Sequence, residues 1–434
     1  MHPDHRPRPA AAVPQRALRA AKSSAAWMAT AALVTAGCSS GTTSPKPPPP
    51  PPPPLSSLVV TPKQDTLLVG QTHVFTVTAM DTLGALVGDA SYTWGSTAPT
   101  VANVSQVGQV TGISEGAATI RVSGGGKADS AAVAVIVKRG WYTQQSNLSV
   151  DLNAVYFLPD RRTGWAVGSS GRIIATTDAG ATWTAQISNS AYNLNGVWFT
   201  DANNGWAVGA TGAVLQTFDG GATWTRIISN ASENLTDVWF ASRDTGWVVG
   251  ANGVVLRTFD RGVTWNRVTP TAFDLESVAF AGTTDGWAVG AAGIILGTHD
   301  RGLSWYIVQP AVTAQALKAV WRRSNLQAWA AGASGTALRT ITTVDSLAWE
   351  LDNAGANNQL AGVCYPTDEI GYVVGYNSGG VGIVLRTDDG GVSWQSQSPN
   401  TQFRLKDVFF VDALNGWAVG RNGTIIHTST GGLP

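Results

Sequence analysis

The chain has 434 residues, 44% of them hydrophobic and only 13% charged, with 49 glycines and 18 tryptophans. A typical globular chain carries about 25% charged residues and about 7% glycine, so this composition excludes general disorder and suits a large all-β structure with many tight turns. Residues 1–37 hold five basic side chains against one acidic, which leaves about −4 on the remainder with no basic stripe, so nucleic acid is not an expected partner.

Arg16, Arg19 and Lys22 precede an apolar run from about Ala25 to Ala36. That run is too short for a permanent membrane span and reads as a secretory signal. It ends in Leu33-Val34-Thr35-Ala36-Gly37-Cys38, which resembles a bacterial lipobox. The resemblance implies that residues 1–37 are removed and that Cys38 carries a lipid anchoring the chain to a membrane. Residues 38–56 form a Ser/Thr/Pro-rich stalk, and Pro47–Pro54, eight prolines in a row, predict an extended polyproline spacer of about 25 Å. The second cysteine, Cys364, sits in Val363-Cys364-Tyr365 where other repeats have Val-Trp-Phe or Val-Tyr-Phe, and reads as a small buried hydrophobe.

Residues 57–138 alternate short β-rich runs with turns: Leu58 to Thr61, His73 to Thr78, Ser91 to Trp94, Ala118 to Val122 and Ala131 to Val137. Six or seven such strands in about eighty residues predict a small β-sandwich. In His73 to Thr78 the period of two would send Val74, Thr76 and Thr78 one way and Phe75 and Val77 the other. Val60-Thr61-Pro62, Val69-Gly70-Gln71-Thr72, Gly108-Gln109-Val110-Thr111-Gly112 and Gly116-Ala117-Ala118-Thr119-Ile120 together resemble the bacterial immunoglobulin-like group 2 domain. The resemblance implies a spacer or adhesive module and no chemistry.

Residues 139–434 repeat. The motif Gly164-Trp165-Ala166-Val167-Gly168 recurs at Trp206, Trp247, Trp287, Trp329, Tyr372 and Trp417, at intervals of 40 to 45 residues that fit one four-stranded propeller blade. Before it stands Leu-x-x-Val-x-Phe, as in Leu152/Val155/Phe157. After it comes Thr-x-Asp-x-Gly-x-Thr-Trp, which ends in Trp183, Trp224, Trp265, Trp305, Trp349 and Trp394. That makes seven Gly-Trp-type strands but only six closing tryptophans. The unpaired Trp141, just ahead of the first repeat, is expected to supply the seventh and to close a seven-bladed β-propeller, removing two exposed sheet edges.

The Thr-x-Asp-x-Gly-x-Thr-Trp element matches the Asp-box, with Asp178, Asp219, Asp260, Asp300 and Asp389. A short Asp side chain accepts bonds across a hairpin turn, and one carboxylate per blade is too dispersed for a catalytic pair or a calcium loop. The expectation is structural, with no catalytic, cofactor or metal residue. The fifth repeat departs from the pattern (Trp349 comes two residues late), and Tyr376 to Gly382 enlarge a turn in the sixth.

The repeat with its Asp-box endings resembles propellers like the photosystem II assembly and stability factor. That resemblance implies a non-enzymatic extracytoplasmic scaffold or protein-binding propeller that assists assembly or stability of envelope or membrane protein complexes. The chain is expected to be monomeric, to bind an envelope or extracellular protein, and to face the periplasm or exterior of a bacterial cell. The alternatives are a cell-surface carbohydrate-binding propeller, or a glycoside hydrolase related to Asp-box sialidases and xyloglucanases. A sialidase-like site would need three arginines gripping a carboxylate. Here the arginines are scattered over turns and first-to-second-strand loops, Arg161, Arg162, Arg243, Arg322 and Arg323 among the latter. A binding surface is expected on the fourth-to-first-strand loops: Gln186 to Asn193, Ile227 to Asn234, Val268 to Asp274, Val308 to Gln315 and Gln395 to Phe403.

Overall fold

The computed structural model describes residues 54–88, 91–309, 311–342 and 347–434. Cys38, the apolar run and all of the proline stalk before Pro54 lie outside the described residues.

Residues 55–136 form nine strands among the described residues, in sheets of four, three and two. The run His73 to Thr78 is broken at Phe75. Thr72–Val74 pairs with Gln109 to Thr111, whereas Thr76–Asp81 pairs with Leu55–Thr61. The chain thus changes sheet at Phe75, whose ring is buried in the core with Trp94 and Ile120. Gln64–Leu68, too polar to read as a strand, lies parallel to Ala132 to Ile136.

The repeats form seven four-stranded antiparallel sheets. Sheet 1 is Leu152–Phe157, Gly164–Gly168, Ile173–Thr176 and Thr184–Gln186. The first strands of sheets 2 to 6 are Leu194–Phe199, Leu235–Phe240, Leu275–Ala281, Leu317–Arg322 and Gln359–Cys364. Sheet 7 contains Leu405–Phe410, Gly416–Gly420 and Ile425–Thr428, and its fourth strand is Tyr142–Gln144. Tyr142 pairs with His427 across 285 residues of sequence, and the tyrosine hydroxyl meets His427 Nδ1 at 2.7 Å.

The second strands are buried throughout because each has a strand on both sides and a sheet against both faces. Glycine opens these strands because a first-strand aromatic ring lies over it: a Cβ on Gly164 would stand 2.5 Å from the Phe157 ring. That ring in turn stacks on the preceding sheet. Phe199 lies 3.5 Å from Trp165, Phe240 3.6 Å from Trp206, Phe280 3.5 Å from Trp247, Tyr365 3.9 Å from Trp329, Phe410 3.7 Å from Tyr372 and Phe157 3.6 Å from Trp417. Each stacked pair contributes about 0.5–1.5 kcal/mol beyond its burial. Between sheets 4 and 5 the aromatic is replaced by Arg322, whose guanidinium lies 5.7 Å from the Trp287 ring. The sequence placed Arg322 in a loop. It is instead the buried last residue of a strand, bonded to the carbonyls of Ser324 and Asn325.

A third aromatic packs edge-on at each junction. Trp183, Trp224, Trp265 and Trp305 stand perpendicular to Phe157, Phe199, Phe240 and Phe280. Trp394 meets Tyr365 and Trp349 meets Trp287 in the same way. Trp141 takes that position against Phe410, at 5.7 Å and 86°.

Candidate functional site

Every first strand carries a register shift between its leucine and the second residue after it: Ala154, Gly196, Asp237, Ser277, Ala319, Gly362 and Asp407. A bulge re-aims side chains. Here it carries Ala154, Asp237, Ser277, Ala319 and Asp407, with the residues just before each of the seven shifts, to one end of the first strands, where they line a cavity of about 310 Å³. The volume is at the small end for ligand pockets.

The lining is largely polar and joins sheets 1 to 2, 2 to 3, 3 to 4, 4 to 5 and 7 to 1. Asn153 and Asn195 donate to the carbonyls of Leu194 and Leu235, both at 2.7 Å, and Thr236 donates to that of Leu275 at 2.7 Å. Asp237 accepts from the Ser277 hydroxyl at 2.8 Å and from the Val278 N–H at 3.0 Å. Ser277 accepts from the Val320 N–H, and Lys318 reaches Glu276. Asp407 accepts from the Val155 N–H at 2.9 Å, while Lys406 donates to Asp151 and Asn153 at 2.9 and 2.8 Å.

Burial raises both Asp237 and Asp407 above the ordinary carboxylate range. For Asp407 the neighbouring Asp237 charge adds to burial, and the group is pushed up to about 7. Neither carboxylate has a cation among its hydrogen-bond partners in the described residues.

Two residues beyond the bulge on the same strand face stand Tyr156, Trp198, Trp239, Trp321 and Phe409. They form a continuous circuit with centroid separations of 4.8, 4.0, 5.9, 5.9 and 4.7 Å, the last returning from Phe409 to Tyr156. The equivalent residues of sheets 4 and 6 are Ala279 and Cys364, which the aromatics bridge. Cys364 is wholly buried, its thiol pushed upward by burial and its sulfur accepting from the Phe410 N–H.

The fourth-to-first-strand loops lead into the strands whose first residues line this cavity, and Asn234, the last residue of one, lines it. They are braced against the turns after the second strands: Asn193 accepts from the Ser170 N–H, Asp274 from Asn252 and Asp151 from Asn422. Tight packing accounts for the glycines there, since a Cβ on Gly171, whose φ is +70°, would lie 1.9 Å from the Ser190 carbonyl oxygen. Within the loops Ile187, Tyr192, Ile228, Phe273 and Phe403 are exposed.

The Asp-box carboxylates lie elsewhere, each within its own hairpin. Asp178 accepts from Thr176 Oγ1 at 2.7 Å and from Thr182 through its N–H at 2.9 Å and its hydroxyl at 2.6 Å. Asp219, Asp260, Asp300 and Asp389 repeat the arrangement. The hydroxyl and N–H of Ser304 pull Asp300 down to about 2; in Asp389, bonds from Ser393 and Thr387 overcome desolvation to the same end. Several arginines are likewise engaged: Arg339 with Glu350 and Asp352, Arg386 with Asp388, Arg323 with Asp368 and Arg261 with Asp244. Among the described residues no group of three or more His, Cys, Asp or Glu is placed to hold a metal ion.

Sequence reasoning singled out the hairpin aspartates and the repeat tryptophans and passed over Asp237, Asp407, Glu276, Lys318, Lys406 and the aromatic circuit. The available signal was the variable positions of Leu-x-x-Val-x-Phe, read down the seven copies.

Residues 133–232, 227–313 and 341–433 match the family model described as Photosynthesis system II assembly factor YCF48, and residues 55–135 match the bacterial Ig-like domain (group 2). The photosystem II assembly lipoprotein Ycf48 of Synechococcus sp. (strain CC9902) is 29% identical over 105 residues, which are 23% of this chain and 30% of that relative; the match spans under a third of the relative's length. A solved structure of YCF48 bound to D1 peptide is similar at a TM-score of 0.57 and 21% identity, over 68% of this chain and 96% of that one. YCF48 from Cyanidioschyzon merolae gives 0.56 and 19%, over 67% and 98%. The WD40 propeller domain of Doa1 gives 0.54 at only 9% identity, over 67% and 96%. The fold of the repeats is that of a β-propeller.

Proposed function

This chain belongs to the Photosynthesis system II assembly factor YCF48 family, and from that premise we propose that it is a non-enzymatic propeller that binds a polypeptide of an envelope or membrane protein complex and assists its assembly or stability. Seven blades closed by Gly140 to Gln144 form the ring. Closure is supported by the pairing of Tyr142–Gln144 with Ile425–Thr428, by the stacking of Trp417 on Phe157 and by the aromatic circuit that returns to Tyr156. In this ring the bulge-lined cavity is the mouth of the axial channel.

The observation that carries the binding function is the composition of that one face. A polar mouth adjoins braced loops that expose Tyr192, Phe273 and Phe403. Exposed aromatics around polar groups anchored by the backbone suit a protein interface. The similar structure of a family member holding a peptide supports the same reading. A hydrolytic role is disfavoured because the Asp-box carboxylates are saturated by their own hairpins and lie one to a blade. We assign the Asp-boxes and the packing tryptophans to architecture. A lipid on Cys38 and the proline stalk would hold the Ig-like domain and the propeller off a bacterial membrane, facing the periplasm or exterior.

The test is capture from detergent-solubilised envelope with wild type and with Tyr192→Ser/Phe273→Ser/Phe403→Ser. A defined protein partner retained by wild type and lost by the variant is expected. No partner, together with saturable binding on a glycan array, would overturn the reading in favour of carbohydrate recognition.

A further inference from the structure

The charges of the axial mouth do not balance. Lys318 is committed to Glu276, and Lys406 is turned to Asp151 and Asn153. Asp237 and Asp407 are left with neutral donors alone: backbone N–H groups and the Ser277 hydroxyl. Carboxylates enclosed without a counter-charge are costly, and the cost is relieved by protonation or by an incoming cation. The cavity they line, at about 310 Å³, has room for a long side chain.

Trp239 and Phe409 lie on the same strand faces as Asp237 and Asp407, two residues further along, hence about 7 Å deeper. Both belong to the aromatic circuit. A cation entering between the carboxylates therefore approaches aromatic rings, a second attraction for positive charge. Two carboxylates without a cationic partner, an open-mouthed cavity and an aromatic circuit about 7 Å beyond them converge on one ligand chemistry.

We propose that the axial mouth takes one cationic side chain, an arginine or lysine of the bound polypeptide, held between Asp237 and Asp407 above the aromatic circuit. This rests on the protein-binding function above and gives it a specificity determinant: the partner segment must present a positive residue to the axis.

The test titrates the full chain with N-acetylated, C-amidated Gly-Arg-Gly, Gly-Lys-Gly and Gly-citrulline-Gly, followed by saturation-transfer NMR. Citrulline keeps the shape of arginine and removes its charge. Saturable binding of the arginine or lysine peptide is expected, at least tenfold weaker for citrulline and at least tenfold weaker for Asp237→Asn/Asp407→Asn. Lys318→Gln, which leaves Glu276 without its cation and adds negative charge to the mouth, should bind the charged peptides more tightly than wild type. Circular dichroism establishes that the double variant folds; if it does not, Asp237→Asn alone and the citrulline comparison decide. Equal binding of citrulline, or no saturable binding of either charged peptide to wild type, overturns the proposal. Capture of the same envelope partner by wild type and by the folded double variant would also overturn it while leaving the protein-binding function standing.

Discussion

Asp237 and Asp407 occupy variable positions of a repeated motif, where an aspartate in an isolated sequence is indistinguishable from a solvated one. What turns them inward is the register shift of the first strand, a property of backbone pairing that residue pattern does not encode. The Asp-box aspartates were legible because their partners lie within four residues of sequence. The two classes titrate in opposite directions. For Asp407, lifted to about 7 from an unfolded value near 4, the stabilising contribution is complete below about pH 4 and is lost as pH rises through 7. His427, depressed to about 3 by burial, works the other way: its contribution is present above about pH 6.5 and is lost as pH falls toward 3. The readout is therefore a difference between variants. Tm of wild type minus Tm of Asp407→Asn should fall between pH 4.5 and 8 by a few degrees, corresponding to about 3 kcal/mol. A flat difference would show that the carboxylate is not perturbed by its surroundings.

At the scale of the element, a Gly-Trp strand, an aromatic ring over its glycine and an edge-on tryptophan recur at nearly every junction, and all three were visible as a sequence period near 41. The two exceptions were less legible. In sheet 5 Arg322 stands where the ring belongs, and the last hairpin is lengthened to Thr336–Thr342 and Leu347–Asn353. In the sandwich, Gln64–Leu68 escaped notice because a strand whose side chains are largely exposed has no apolar alternation to show. The hairpin chemistry itself is testable. Asp219→Ala removes the acceptor for Thr217 Oγ1 and for the N–H and hydroxyl of Thr223. It should cost about 1–3 kcal/mol of stability, read as a shift of denaturant midpoint without loss of partner capture. Loss of binding with unchanged stability would instead mark Asp219 as part of the interface.

The whole molecule depends on a joint between residues nearly three hundred positions apart. Seven Gly-Trp-type strands against six closing tryptophans predict that joint, and Trp141 stands edge-on against Phe410. In the proposed ring the mouth and its carboxylates follow from closure, because the seventh-to-first junction contributes Lys406, Asp407 and Asn153 to the lining. The most direct measurement is a cross-link at the joint. In Tyr142→Cys/His427→Cys the new thiols face each other across the proposed closing pair. Mild oxidation of the folded protein should form that disulfide nearly completely, shift migration on a non-reducing gel and raise Tm, since it closes a very long loop. Two thiols that stay free and reactive under the same oxidation, in a protein that is otherwise folded, would contradict a ring closed by its N-terminal strand.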